Sequence, residues 1–151
     1  MGRHAASEFE NPRMIPDTSA WTPIGRSANA DFFEVENGVL AVVPFDGASD
    51  TADTAAVSIQ IQLTHLRARG SRAGTIVFMD RVASQNSGAR DVYRTAPDPT
   101  LQTCFALVGG TMFGRAVSSV FIGLNPPSVP TRMFGTYQEA LSWIRQNALT
   151  R

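Results

Sequence analysis

The chain contains no lysine, and all 13 of its basic residues are arginine. Schiff-base chemistry and a lysine nucleophile are therefore excluded, as is the phosphate-reaching lysine of a P-loop. Cysteine is almost as scarce. The single one, Cys104, sits in the apolar run Cys104-Phe105-Ala106-Leu107-Val108, where a buried small hydrophobe is expected rather than a redox or catalytic thiol. His4 and His65 stand far apart, so one cysteine and two isolated imidazoles make no zinc ligand set, and no cofactor or metal is expected. The 13 basic residues are matched by 13 acidic ones without any block of like charge, which removes the electrostatic footprint of a nucleic-acid partner. No apolar run approaches the roughly 18 residues of a membrane span, and Glu8, Glu10 and Asp17 occupy the region where a secretory peptide would be apolar. The expectation is a cytoplasmic protein without stable membrane insertion.

What is present is a chain of 151 residues, enough for one domain that buries about two thirds of its unfolded surface without staples. The stretch Phe105 to Ile144 organises it. The run from Cys104 to Val108, closed by Gly109 and Gly110, reads as a central strand covered on both faces. Phe113, Ala116, Val117, Val120, Phe121 and Leu124 then form one helical stripe. Gly123 and Asn125 are helix-ending residues, and Pro126 and Pro127 forbid continuation. Thr131 to Phe134 fits one short strand. Thr136 with Glu139 makes a capping box for a last helix whose inner face would be Tyr137, Ala140, Leu141, Ile144 and Ala148.

Upstream, residues 1–30 carry Pro12, Pro16 and Pro23 and little periodicity, an extended or partly disordered arm in which Trp21 and Ile24 are apolar enough to anchor its end. Phe32 to Val35 and Val39 to Phe45 flank Asn37-Gly38, a hairpin signal. Asp46 to Asp53 reads as a loop feeding a helix from about Asp53 to Arg69. Its Val57, Ile59, Ile61 and Leu63 alternate with polar residues as a strand would. The helical reading takes Ala56, Ile59, Leu63 and Leu66 as the face and Gly70 as the stop. Thr75 to Met79 is a buried strand closed by Asp80. A loop from Val82 to Asn86 precedes a short helix, capped by Ser87 and ended by Pro97 and Pro99. The element order is β-β-α-β-α-β-α-β-α, an α/β domain with a mixed sheet flanked by helices.

The segments ALVGGTMFGRAVSSVFIGLNPPSVPTRMF and EALSWI, with Ala89, Arg90, Val92 and Tyr93 after the strand ending in Asp80, resemble bacterial SpoIIAA-like domains. These are related to the STAS (sulfate transporter and anti-sigma-factor antagonist) domain and to eukaryotic lipid-carrier domains. The likeness covers roughly Asp31 to Asn147. It implies a mixed sheet with four helices, residues 31–151 as the domain, and a family mostly without an assigned function. Classical STAS regulators carry a phosphorylatable serine at the start of the second helix. Ser84 and Ser87 are the candidates here, although both come late against that pattern and Ser87 also serves as an ordinary N-cap.

Other chemistry is thin. Gly109, Gly110 and Gly114 could open a helix onto an anion, yet their spacing fits neither a P-loop nor a dinucleotide fingerprint. No nucleophile-base pair or paired carboxylates stand out. The expected function is therefore non-enzymatic: a regulatory domain that binds another protein or a second copy of itself as a homodimer. A carrier or sensor of a small apolar, lipid-like ligand held between sheet and helices is the alternative. Met112, Ile122, Pro126, Pro127 and Val129 would form the apolar self-association surface. Asp80, with Arg132 or Arg90 as partner, would form a polar pair or site, Arg132 joining Asp80 if their strand ends lie side by side.

Overall fold

The computed structural model describes residues 15–110 and 128–149. The expected leader up to residue 14 and the helical stripe Phe113 to Leu124, with Gly114, Gly123, Asn125 and the proline pair, fall outside these residues. The described part is α/β. A mixed six-stranded sheet is ordered β1-β2-β3-β5-β7-β8, where β1 is Thr22–Arg26, β2 Ala30–Glu36, β3 Val39–Pro44, β5 Ala73–Phe78, β7 Gln102–Val108 and β8 Thr131–Phe134. The first three strands pair antiparallel and the last four pair parallel. A second, two-stranded parallel sheet joins β4 (Ala48–Asp50) to β6 (Val82–Gln85). The helices are α1 (Ala52–Arg69), α2 (Ser87–Thr95) and α3 (Tyr137–Leu149).

The sequence explains the layering. Every residue of β3 and β7 is buried, as expected of central strands with both faces covered. Their side chains alternate between the two layers. Val39, Ala41 and Val43, with Ile76, Phe78, Cys104, Ala106 and Val108, face α3 and meet Ala140, Leu141 and Ile144. Phe105 and Leu107 face the other way, toward Ile59 and Leu63 of α1. Gly74 sets the spacing on the α3 side, since a Cβ there would sit 2.7 Å from Cys104 Sγ and 2.8 Å from Ile144 Cγ2. A side chain would push the helix off the sheet.

The Asn37-Gly38 hairpin forms with a positive φ at Gly38 alone, +88°, and β2 absorbs the offset in a register shift between Glu34 and Glu36. Helix α1 begins in a reciprocal capping box, with Thr54 N–H donating to Thr51 Oγ1 and Thr51 N–H to Thr54 Oγ1. It stops at Gly70 in the left-handed region. The alternation in its sequence does not mark a strand: Ile59 and Leu63 face the sheet, Val57 is exposed, and Ile61 reaches β1, where a Cβ on Gly25 would clash with it at 2.8 Å. Ala55, not Ala56, is the buried alanine, because Ser58 and Gln62 share the inner face and shift its phase by one residue.

Several boundaries move. The segment read as an arm supplies the edge strand β1 from residue 22. Just before it, Trp21 is buried among Phe33, Phe78 and Tyr137 at ring-centroid distances of 5.7, 6.4 and 5.8 Å. The two stretches read as loops, Asp46 to Asp53 and Val82 to Asn86, contain the paired strands β4 and β6. Asn86, not Ser87, caps α2, its Oδ1 accepting from Ala89 N–H at 2.9 Å. On α3 Thr136 accepts from Glu139 N–H at 3.2 Å as the capping signal requires. Ala148 is exposed, the inner stripe passing from Ile144 to half-buried Asn147 at i+3.

Candidate functional site

The layer between the sheet and α1 is built differently from the α3 layer, and it carries the polar chemistry. Strand β4 ends on Asp50, 7% exposed, immediately before the N-cap of α1. Three elements converge on its carboxylate. From α1, Thr54 donates its hydroxyl to Oδ1 at 2.6 Å. From β6, Gln85 Nε2 donates to Oδ2 at 3.2 Å, and from α2 the Tyr93 hydroxyl donates to the same oxygen at 2.8 Å. A buried carboxylate is tolerable only when so supplied with donors. Burial holds the Tyr93 phenol well above its ordinary range, and the adjacent Asp50 charge adds to this. Arg90 fixes the geometry from outside, its guanidinium donating to the Gln85 carbonyl at 2.9 Å.

Deeper in the same layer lies a second polar chain. Gln62 Oε1 accepts from the Thr75 hydroxyl at 2.8 Å and from Gln102 Nε2 at 3.1 Å, while Gln62 Nε2 donates to Ser58 Oγ at 3.3 Å. Gln102 Oε1 accepts from Asp98 N–H at 3.0 Å. These buried groups are mutually satisfied.

Between the two polar groups the packing leaves a cavity of ≈ 60 Å³, room for about four waters. Phe32, Val42, Val77, Met79, Phe105 and Leu107 make its apolar wall, and Asp50, Ser58, Gln62, Gln85 and Tyr93 its polar side. It lies toward the carboxyl ends of β3, β5 and β7, the place where open α/β sheets take ligands. One polar atom there lacks a partner: Gln85 Oε1 is buried with no hydrogen bond, a state that costs about 1–3 kcal/mol.

The residues singled out from sequence are not gathered into this site. Asp80 and Arg132 do not meet, because β7 lies between β5 and β8. Asp80 Oδ2 accepts from Gly110 N–H at 2.9 Å, and the exposed Arg132 guanidinium lies over the Phe134 ring at 5.4 Å. Val129 is 3% exposed and packs with Phe105 and Leu107, so it belongs to the core and not to an interaction surface. Met112, Ile122, Pro126 and Pro127 lie outside the described residues. Ser84 is exposed on β6, its hydroxyl donating to Ser49 Oγ at 3.1 Å, and Ser87 is the first residue of α2. His65 Nε2 lies 2.7 Å from Glu34 Oε1, tying α1 to β2. Among the described residues no His, Cys, Asp or Glu cluster could hold a metal ion, and no helix is long and apolar enough to cross a membrane.

Sequence reasoning missed Asp50, Gln62, Gln85 and the role of Tyr93. Only Gln62 left a signal, a polar residue four positions from Ser58 on the stripe of Ile59, Leu63 and Leu66.

Residues 33–148 match the family model described as Domain of unknown function (DUF7793). No curated protein and no solved structure matches the chain.

Proposed function

The chain belongs to this family of unknown function, and from the geometry we propose that it is a non-enzymatic binding domain whose site is the pocket between the sheet and the α1–α2 layer. The observation that carries this reading is a small apolar cavity bordered by a few polar side chains at the carboxyl ends of the parallel strands, where open α/β sheets take ligands. Of the two functions considered from sequence, binding of another protein or a second copy and carriage or sensing of a small apolar ligand, the pocket supports the second. The SpoIIAA-like kinship is part of this proposal, supported by a hairpin followed by alternating helices and parallel strands.

The state of the polar groups supports a binding role. Both Asp50 oxygens accept hydrogen bonds from fixed donors, and among the described residues no histidine or arginine lines the cavity. Nothing there is poised as a base toward a nucleophile. The Asp50–Tyr93 and Asp50–Gln85 contacts hold α2 and β6 over the pocket.

The test is an amide NMR titration of the full chain with xenon, an apolar probe smaller than a ring. The reading expects saturable shifts centred on Val42, Val77, Phe105 and Leu107. Shifts confined to the shallow groove of Phe134 and Trp143, or none, would overturn it.

A further inference from the structure

We propose that the outward face of α1 is a self-association surface, on which two copies of this chain pack their α1 helices antiparallel about a two-fold axis at Gln60. The helix turns Ile59, Leu63 and Leu66 to the sheet side. On its other side Asp53, Ala56, Gln60, Thr64 and Arg67 are all exposed, and successive members stand three, four, four and three residues apart. That spacing keeps them on one stripe. It also reads the same in both directions from Gln60.

The chemistry of the stripe suits this symmetry. Ala56, Gln60 and Thr64 make an uncharged middle, flanked by Val57, the one large apolar side chain exposed among the described residues, at 45%. Short side chains let two helices approach closely. Charge is confined to the ends, with Asp53 in the first turn and Arg67 in the last. Parallel helices would set Asp53 against Asp53 and Arg67 against Arg67, which repel. Antiparallel helices with Gln60 on the axis set Asp53 of each copy against Arg67 of the other, and Ala56 against Thr64. Such self-complementarity is what an isologous contact between identical chains requires. Little inside the chain competes for these charges: Asp53 takes part in no ion pair among the described residues, and Arg67 Nη2 lies 4.0 Å from Asp98 Oδ2 with its side chain 55% exposed. On α3, by contrast, Arg145 is paired with Glu36 and Glu139 accepts from Thr136.

An acidic start and a basic end also suit the dipole of a single helix, so the test turns on exchanging the two charges. Light scattering of the full chain at high micromolar concentration is compared with Asp53→Arg, Arg67→Asp and the double variant. The native chain is expected to be a dimer that salt weakens. Each single reversal opposes like charges at both ends of the contact and should raise the dissociation constant at least about tenfold. The double variant, which runs against the dipole but restores the pairing, should recover the native value. Gln60→Cys places a thiol of each copy at the axis and should give a disulfide-linked dimer under mild oxidation, whereas the native chain, whose Cys104 is buried, should not. All three positions are exposed, and circular dichroism of each variant checks that it is folded. A strict monomer, a dimer that neither responds to the reversals nor cross-links through Gln60→Cys, or a double variant as weak as the singles would overturn the proposal.

Discussion

The two faces of the central sheet are made from the same three strands, yet they differ in kind. On the α3 face small and branched residues close up around Gly74, and Cys104, Ala106 and Ile144 are essentially without solvent exposure. On the α1 face the same strands contribute Thr75 and Gln102, and the helix answers with Ser58 and Gln62, leaving a cavity beside Gln85 and Tyr93. Polar groups cost stability unless every one is paired. On the proposed reading the contrast gives stability to one face and recognition to the other, and it can be broken by mutation.

The largest effect is expected on the α3 face. Ile144→Ala removes a side chain that is 1% exposed and should cost about 3–4 kcal/mol in urea unfolding, while the folded fraction binds a small apolar probe as before. Loss of binding with little change in stability would reverse the assignment of the two faces. Next comes Gln62→Leu, which strands the Thr75 hydroxyl and the Gln102 amide for roughly 2–3 kcal/mol. Gln62→Glu, which keeps the acceptor, should recover part of that loss.

Tyr93→Phe comes third, at about 1–2 kcal/mol near neutral pH, and it has a pH signature. Burial, then the charge of Asp50, raises the folded-state phenol above its ordinary 10.0. A raised pKa means that the folded state holds the proton more tightly. The contribution is therefore complete below pH 10 and is lost as pH rises from there through the folded value. Melts between about pH 8 and 11 should show the native sequence falling more steeply than Tyr93→Phe; equal slopes would mean that the phenol is not held as described. The smallest effect belongs to the surface. Arg145 and Glu36 pair at 2.6 Å but are 56% and 36% exposed, and Arg145→Ala should leave melting and probe binding unchanged at physiological salt, where such pairs are screened.

Much of the scaffold was legible because its signals are local. Asn37-Gly38 between apolar runs, the Thr136 and Glu139 cap, Gly70 after a helix and the continuous apolar runs of β5 and β7 each act within a few residues. Strands β1, β4 and β6 were not legible. Thr22-Pro-Ile-Gly-Arg and Ala48-Ser-Asp have no strand pattern of their own, and their conformation comes from partners distant in the chain. The site failed for the same reason. Asp50 and Tyr93 are 43 residues apart, and Asp50 and Gln85 are 35 apart, so no spacing rule links them. The expected Asp80–Arg132 pair needed adjacent strands, and strand order is a global property that places β7 between them.

The central claim is that the cavity under α1 is the binding site, and a cavity-filling variant tests it most directly. In Val77→Phe a ring occupies space now bordered by Val42, Phe105 and Leu107, without removing a hydrogen bond. Xenon titration of Val77→Phe followed by amide NMR, beside its thermal melt, should show binding abolished and stability lowered by no more than about 1–3 kcal/mol. Retained affinity in a folded Val77→Phe protein would contradict the account.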